Sequence, residues 1–256
     1  MLDMTPAINP TAIELRGVSK SYREAGNKDV TALLDVSLTI EKGEFVVVVG
    51  HNGSGKSTLL NVLSGAVIPD AGTLEFGKGN GGRTRPRTAR VRQIPSDGVF
   101  DNLTVIENFT LFALQRPPSP VRLKVPKELV NDAIKRLRPY GMHNQLHRLV
   151  EDLSQGQRQL LALELAMSRG PDILLLDEHT ASLDRSNSAL CMDATMELAR
   201  ASGVTVFMVT HKIDEALKFG DTLLVMRDGQ VMHRFCGTEK STLSAETLVR
   251  YCGYMS

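Results

Sequence analysis

The 256-residue chain carries 42% hydrophobic and 23% charged residues with a formal net charge of +1, a balance that gives no reason to expect a nucleic-acid partner or a membrane-surface role. No apolar stretch approaches the ~20 residues of a bilayer span, so any membrane crossing is expected of another chain. The start, Met1-Leu2-Asp3-Met4-Thr5-Pro6, lacks the basic and apolar regions of a secretory signal, and the widely spaced Cys191, Cys236 and Cys252 fit free thiols in a reducing compartment.

In chain order, Ala12–Val18 alternates apolar and polar residues and runs on to Tyr22 and the polar stretch Arg23–Asp29. Ala32–Ile40 reads as a second strand, and Lys42-Gly43 as a turn into the buried strand Phe45–Val49. Val49 to Gly65 reads as strand end, glycine loop and helix, and Pro69-Asp70-Ala71-Gly72 as a turn. Gly77 to Arg92 is glycine- and arginine-rich; its Lys78, Arg83, Arg85, Arg87, Arg90 and Arg92 are expected on a solvated loop, contact with lipid headgroups being a minor alternative. From Leu103 to about Gly141 helices are expected, interrupted by Pro117-Pro118-Ser119-Pro120, with Thr104 and Glu107 as a capping box. A second capping box, Ser154 with Gln157, opens the helix Gln157–Met167. Ile173–Leu176 and Val204–Val209 read as buried strands, Asp228-Gly229 as a hairpin turn, and a short helix is expected from about Ser244. Alternation of strands and helices predicts an α/β fold with a largely parallel sheet, and the central helical block an inserted subdomain.

The chemistry concentrates at three places. Gly50-His51-Asn52-Gly53-Ser54-Gly55-Lys56-Ser57-Thr58 fits the phosphate-binding pattern GxxxxGK[ST] between a strand and a helix. Glycines let backbone amides converge on phosphates at a helix N-terminus; Lys56 would reach the β- and γ-phosphates and Ser57 would ligate Mg²⁺. An ordinary glycine turn does not call for Lys-Ser after its last glycine. Asp177 and Glu178 follow the apolar strand Ile173–Leu176, where an open α/β sheet presents groups to a ligand. There Asp177 can hold Mg²⁺ through water, and Glu178 can relieve an attacking water of its proton. The third place is Leu153-Ser154-Gln155-Gly156-Gln157, by itself only a capped helix start.

Taken in order, the phosphate loop, LSQGQ and Leu-Leu-Leu-Asp-Glu resemble the ATP-binding-cassette (ABC) ATPase family over nearly the whole chain. The resemblance implies a P-loop NTPase (RecA-like) core with an antiparallel β subdomain and an inserted α-helical subdomain. It divides the chain into a core of residues 12–92 and 168–240, a helical subdomain of 93–167, and a tail of 241–256. It implies a head-to-tail homodimer in which Ser154, Gly156 and Gln157 complete the ATP site of the opposite protomer. Gln155 stands where the family most often has glycine. Tyr22 would stack on adenine, or is a surface tyrosine at a strand end. Gln93 would be the hinge glutamine sensing Mg²⁺ and water, Asp184 would lie in the loop crossing the dimer interface, and His211 would be the switch histidine. His179 replaces the proline common after the catalytic glutamate; this and the tail from Gly237 to Glu246 are similar to ATPases of tryptophan-like and related small-solute importers.

The function implied is ATP hydrolysis, with ATP and Mg²⁺, driving import of an amino-acid-like solute. Integral membrane permease subunits and an external solute-binding protein would be partners, at the cytoplasmic face of the membrane. Export or lipid extraction is the alternative within the class. An iron–sulphur assembly ATPase is the non-transport rival, although its corresponding motif generally ends Gly-Glu rather than Gly156-Gln157.

Overall fold

The structure is a computed structural model that describes residues 11–23, 29–77, 85–95, 98–113 and 125–253. Its centre is a six-stranded sheet in the order β5 (Thr88–Arg92), β6 (Ile173–Asp177), β7 (Thr205–Val209), β3 (Phe45–Val49), β8 (Thr222–Arg227), β9 (Gln230–Cys236). The first five strands are parallel and β9 returns antiparallel on β8. The β8–β9 turn is Asp228-Gly229, with φ of 51° and 78°, the double left-handed conformation that a two-residue hairpin of this hand requires.

Continuous apolar runs such as Phe-Val-Val-Val-Val are what a strand covered on both faces needs. Val46, Val48, Ile173, Leu175, Phe207 and Leu224 point into one core with Leu59, Leu60 and Leu63 of α1 (Lys56–Leu63). Val47, Val49, Leu174, Leu176, Met208 and Val225 point into the other, shared with the helical elements. Those elements are α2 (Val105–Ala113), α3 (Lys127–Leu137), α4 (Gln155–Ser168), α5 (Arg185–Ser202), α6 (Ile213–Lys218) and α8 (Ala245–Cys252), while the short α7 (Gly237–Ser241) packs on β8 and β9. A second, antiparallel sheet, β2 (Asp29–Glu41), β1 (Thr11–Arg23), β4 (Ala71–Phe76), closes over the first core.

Several expectations change here. Strand β1 extends through Tyr22 to Arg23, where the alternation had marked only Ala12–Val18. Ala71-Gly72 begins β4 instead of lying in a turn. The arginine-rich stretch is not all solvated loop: Thr88–Arg92 is an edge strand of the main sheet, with Val91 in the core. Lys78, Arg83 and the prolines at 117, 118 and 120 lie outside the described residues. Both capping boxes form: the Thr104 amide donates to Glu107 Oε2 at 2.8 Å, and the Ser154 amide to Gln157 Oε1 at 3.0 Å. Helix α4 therefore starts at Gln155, just after its cap Ser154. All three cysteines are free thiols. No helix among the described residues is long and apolar enough to cross a membrane.

Candidate functional site

The parallel strands deliver the candidate residues to one edge. Gly50 follows β3, Asp177 ends β6, and Thr210-His211 follow β7, with Asp177 paired to Val209 in the ladder. The turn from Gly50 to α1 takes positive φ at Gly50, Gly53 and Gly55. Gly55 is fixed twice over, since φ is 97° and an added Cβ would lie 2.3 Å from the Ala32 carbonyl oxygen. At Gly53 an added Cβ would meet nothing within 4 Å, so that part of the loop faces open space. Being a glycine, the cap of α1 brings no side-chain acceptor to the helix start, which leaves first-turn N–H groups for an anion. Asn52 and Ser57 are exposed, Thr58 is partly buried and Ser54 is buried.

Lys56 is turned into its own loop. Its ammonium donates to the carbonyls of Gly50 at 2.7 Å and His51 at 2.8 Å, and more weakly to Ser54 Oγ at 3.4 Å. Burial lowers its pKa from the ordinary range, opposed by the carboxylate charges of Glu178 and Asp177. Beside it, Glu178 sits at a positive φ of 49°, a conformation rare for a residue with a side chain. Two backbone bonds hold it there, from its own N–H to Val209 O at 3.0 Å and from Ala181 N–H to its carbonyl at 2.9 Å. Glu178 Oε2 lies 3.3 Å from His211 Nδ1, and the His211 ring is half exposed.

Sequence reasoning missed a partner of Asp177. Arg90, on the adjoining strand β5, places its guanidinium 2.5 Å from Asp177 Oδ2 and donates to Asn61 Oδ1 of α1 at 2.6 Å. The basic composition around it hid the signal, which was the alternation Thr88-Ala89-Arg90-Val91 running straight into Gln93. Gln93 itself is exposed at the end of β5, and its carbonyl accepts from Ser182 Oγ at 3.3 Å.

Ser154, Gly156 and Gln157 occupy a different place. Helix α4 packs on α2, α3, α5 and β5, whereas α1 packs on β2, β6 and β7. Ser154 is exposed at the helix start. A Cβ at Gly156 would meet Asn187 Oδ1 at 2.5 Å, so any larger residue there would have to displace the Asn187 side chain. Asn187 is in turn held by Asp184, which caps α5 by accepting from the amides of Ser186 and Asn187 at 2.9 and 3.0 Å. These bonds, with that of the Asn187 side chain, hold the Asp184 carboxyl below its ordinary range. Asn187 could have been suspected only from its place three residues after a helix cap. Tyr22 is 39% exposed on β1, with the Lys20 ammonium 5.7 Å from its ring centre. His179 is fully buried beside Thr195, and burial drives its pKa down to about 4, so it stays neutral near pH 7.

Known proteins fall in line with this arrangement. The ABC transporter family matches residues 33–181. The tyrosine transport ATP-binding protein of Clostridioides difficile is 34% identical over 249 residues, covering 94% of this chain and 99% of that one. A methionine import ATP-binding protein of Listeria monocytogenes is 31% identical over 224 residues; the match takes in 87% of this chain and 65% of that protein. Among solved structures, the dimeric post-hydrolysis state of an ATP-binding cassette bound to ADP and Pi superimposes with a TM-score of 0.70 at 28% identity, covering 88% of this chain and 98% of that chain. With a GxxxxGK[ST] turn after β3 and family likeness over most of its length, this chain belongs to the ATP-binding cassettes of ABC transporters, a family of ATPases.

Proposed function

We propose that the chain is one half of a head-to-tail ATPase dimer that drives import of a small, amino-acid-like solute through integral membrane permease subunits. The observation that carries the dimer is the exposure of Ser154 at the start of α4, a helix packed away from α1 and its phosphate loop. A serine hydroxyl and a glycine at a positive helix end suit the γ-phosphate of a nucleotide held by another protomer. The division into a core of 12–92 and 168–240, a helical subdomain of 93–167 and a tail of 241–256 follows the same reading. Names of relatives support the solute class: one transports tyrosine and another imports methionine. Peripheral placement at the cytoplasmic face of the membrane, and an external solute-binding protein, belong to this reading.

Gly50, Asn52, Gly53, Ser54, Gly55, Lys56, Ser57 and Thr58 would cradle the phosphates of ATP, and Tyr22 would meet the adenine. The exposed Ser57 hydroxyl, the Asp177 carboxylate and the Gln93 amide are oxygen donors of the kind Mg²⁺ takes, so the donor set fits that ion. When bound, Mg²⁺ supplies positive charge against the phosphates. Arg90 fixes one oxygen of Asp177 and so sets the direction of the other. Glu178 would take the proton of an attacking water, and His211, 3.3 Å from it, would contact the γ-phosphate.

Substituting Ser154 by Arg puts bulk and positive charge where the partner's γ-phosphate would lie. Each Ser154→Arg monomer should still bind ATP, while ATP-dependent dimerisation and hydrolysis are lost. Normal turnover by this variant would show that the two protomers do not share a site. Purification from membranes tests the partner: integral membrane subunits should come with the chain and an amino-acid-binding protein should stimulate its turnover. Recovery of soluble iron–sulphur scaffold proteins instead would overturn the transport reading, and stimulation by lipid in place of solute would reverse the direction.

A further inference from the structure

One buried carboxylate, not used above, ties together the segments that flank Glu178 and His211. Glu215, in the first turn of α6, is 8% exposed. Its two oxygens accept from Thr180 Oγ1 at 2.9 and 3.0 Å, from Ser188 Oγ at 2.8 Å and from Thr210 Oγ1 at 3.0 Å. Lys212 Nζ stands 3.2 Å from Oε1 and also donates to the Thr180 carbonyl at 2.7 Å and Ser188 Oγ at 2.9 Å. Burial raises the carboxyl's pKa, but the hydroxyls and the Lys212 charge outweigh that and hold it below the ordinary range.

The chain positions of these partners give the cluster its meaning. Thr210 and Lys212 are the two neighbours of His211. Thr180 follows Glu178 by two residues and opens the segment Ala181–Asp184, and Ser188 lies just beyond that segment in α5. A carboxylate bonded on both sides of a histidine and at both ends of a loop makes them one rigid unit, because releasing any donor leaves a buried group unpaired. We propose that Glu215, with Lys212, is a positioning residue that couples His211 to the loop Ala181–Asp184 within one protomer, so that the histidine and the interface loop move together. This rests on the head-to-tail reading, in which His211 meets nucleotide and that loop meets the other protomer. Glu215 touches no substrate; it acts on hydrolysis through the segments it holds.

The test compares Glu215→Gln with the near-isosteric Thr210→Val and Thr180→Val, each of which removes one donor. ATP affinity of the monomer, read with a fluorescent ATP analogue, should stay within about twofold, because the phosphate loop is untouched. Turnover should fall at least about tenfold with KM little changed, the sign of a group misplaced in the transition state alone. The ATP-trapped dimer formed in a Glu178→Gln background should also weaken when Glu215→Gln is added. Combining Thr210→Val with Thr180→Val should damage turnover less than the product of the two single effects, since both sever the same link. Wild-type turnover in a folded Glu215→Gln protein overturns the proposal. Should that variant fail to fold, independent effects of the two valine substitutions overturn it equally. Ser154→Arg separates the levels: if it blocks dimerisation while the Glu215 cluster is silent, only the coupling fails, and if it is itself silent the head-to-tail reading fails.

Discussion

Glu178→Gln should lower ATP turnover by about 10²-fold or more while leaving ATP binding intact. The substitution keeps side-chain length and hydrogen-bonding reach, and removes only the basicity that accepts a proton from water. The backbone holding this residue does not depend on the carboxylate: its φ of 49° is fixed by bonds to Val209 and from Ala181. His211, 3.3 Å away, keeps a polar partner in the amide. On the proposed reading, binding would rest on the loop from Gly50 to Thr58, which the change does not touch. Under the proposed dimer, loss of one negative charge near the phosphates would also favour closure, where like charges would otherwise meet at low effective dielectric. ATP with Mg²⁺ should accordingly trap a dimer of this variant, visible by light scattering or size exclusion. Turnover decides the assignment. A Glu178→Gln protein hydrolysing ATP at the wild-type rate would remove Glu178 as the base.

Much of this arrangement could be read from the chain because it is written in local patterns. The turn between β3 and α1 declares itself by glycines followed by Lys-Ser, and the strands Phe45–Val49 and Ile173–Leu176 by apolar runs that only two-sided burial explains. The two capping boxes are local as well, and both form at the residues named. What escaped is what depends on pairing across the sheet or between loops. Arg90 looks like one more charge in a basic stretch until β5 aligns beside β6 and sets its guanidinium on Asp177. Glu215 looks like an exposed acid in the first turn of a short helix, yet hydroxyls from three separate segments meet on it. Asn187 matters only because α5 brings it against Gly156. The sequence spacing of such pairs, 87 residues for Arg90 and Asp177, leaves no periodicity to detect.

Lys56→Ala should abolish ATP binding without unfolding the protein. In the structure the ammonium donates to the Gly50 and His51 carbonyls and to Ser54. It thus keeps a positive charge inside the turn that Gly53 leaves open to space. An alanine there leaves amides alone to face the triphosphate's charge, and charge-assisted contacts are about twice as strong as neutral ones. Stability should suffer less than the number of lost bonds suggests. Burial lowers the Lys56 pKa, so the charged form is disfavoured in the folded chain relative to the unfolded one. By linkage, a lowered pKa contributes stability only above the unfolded value and none as pH falls below the folded one. At pH values under that range, removing the lysine relieves a desolvation penalty that partly offsets its hydrogen bonds. Thermal unfolding separates the two effects. At a ligand concentration 100 times Kd, nucleotide should stabilise the wild-type chain by about 2.7 kcal/mol, which for a chain of this size raises Tm by roughly 5–10 °C. The Lys56→Ala protein should unfold within a few degrees of the nucleotide-free wild type and show no such rise. An equal rise on adding ATP would mean that the phosphates are held somewhere other than the turn between β3 and α1.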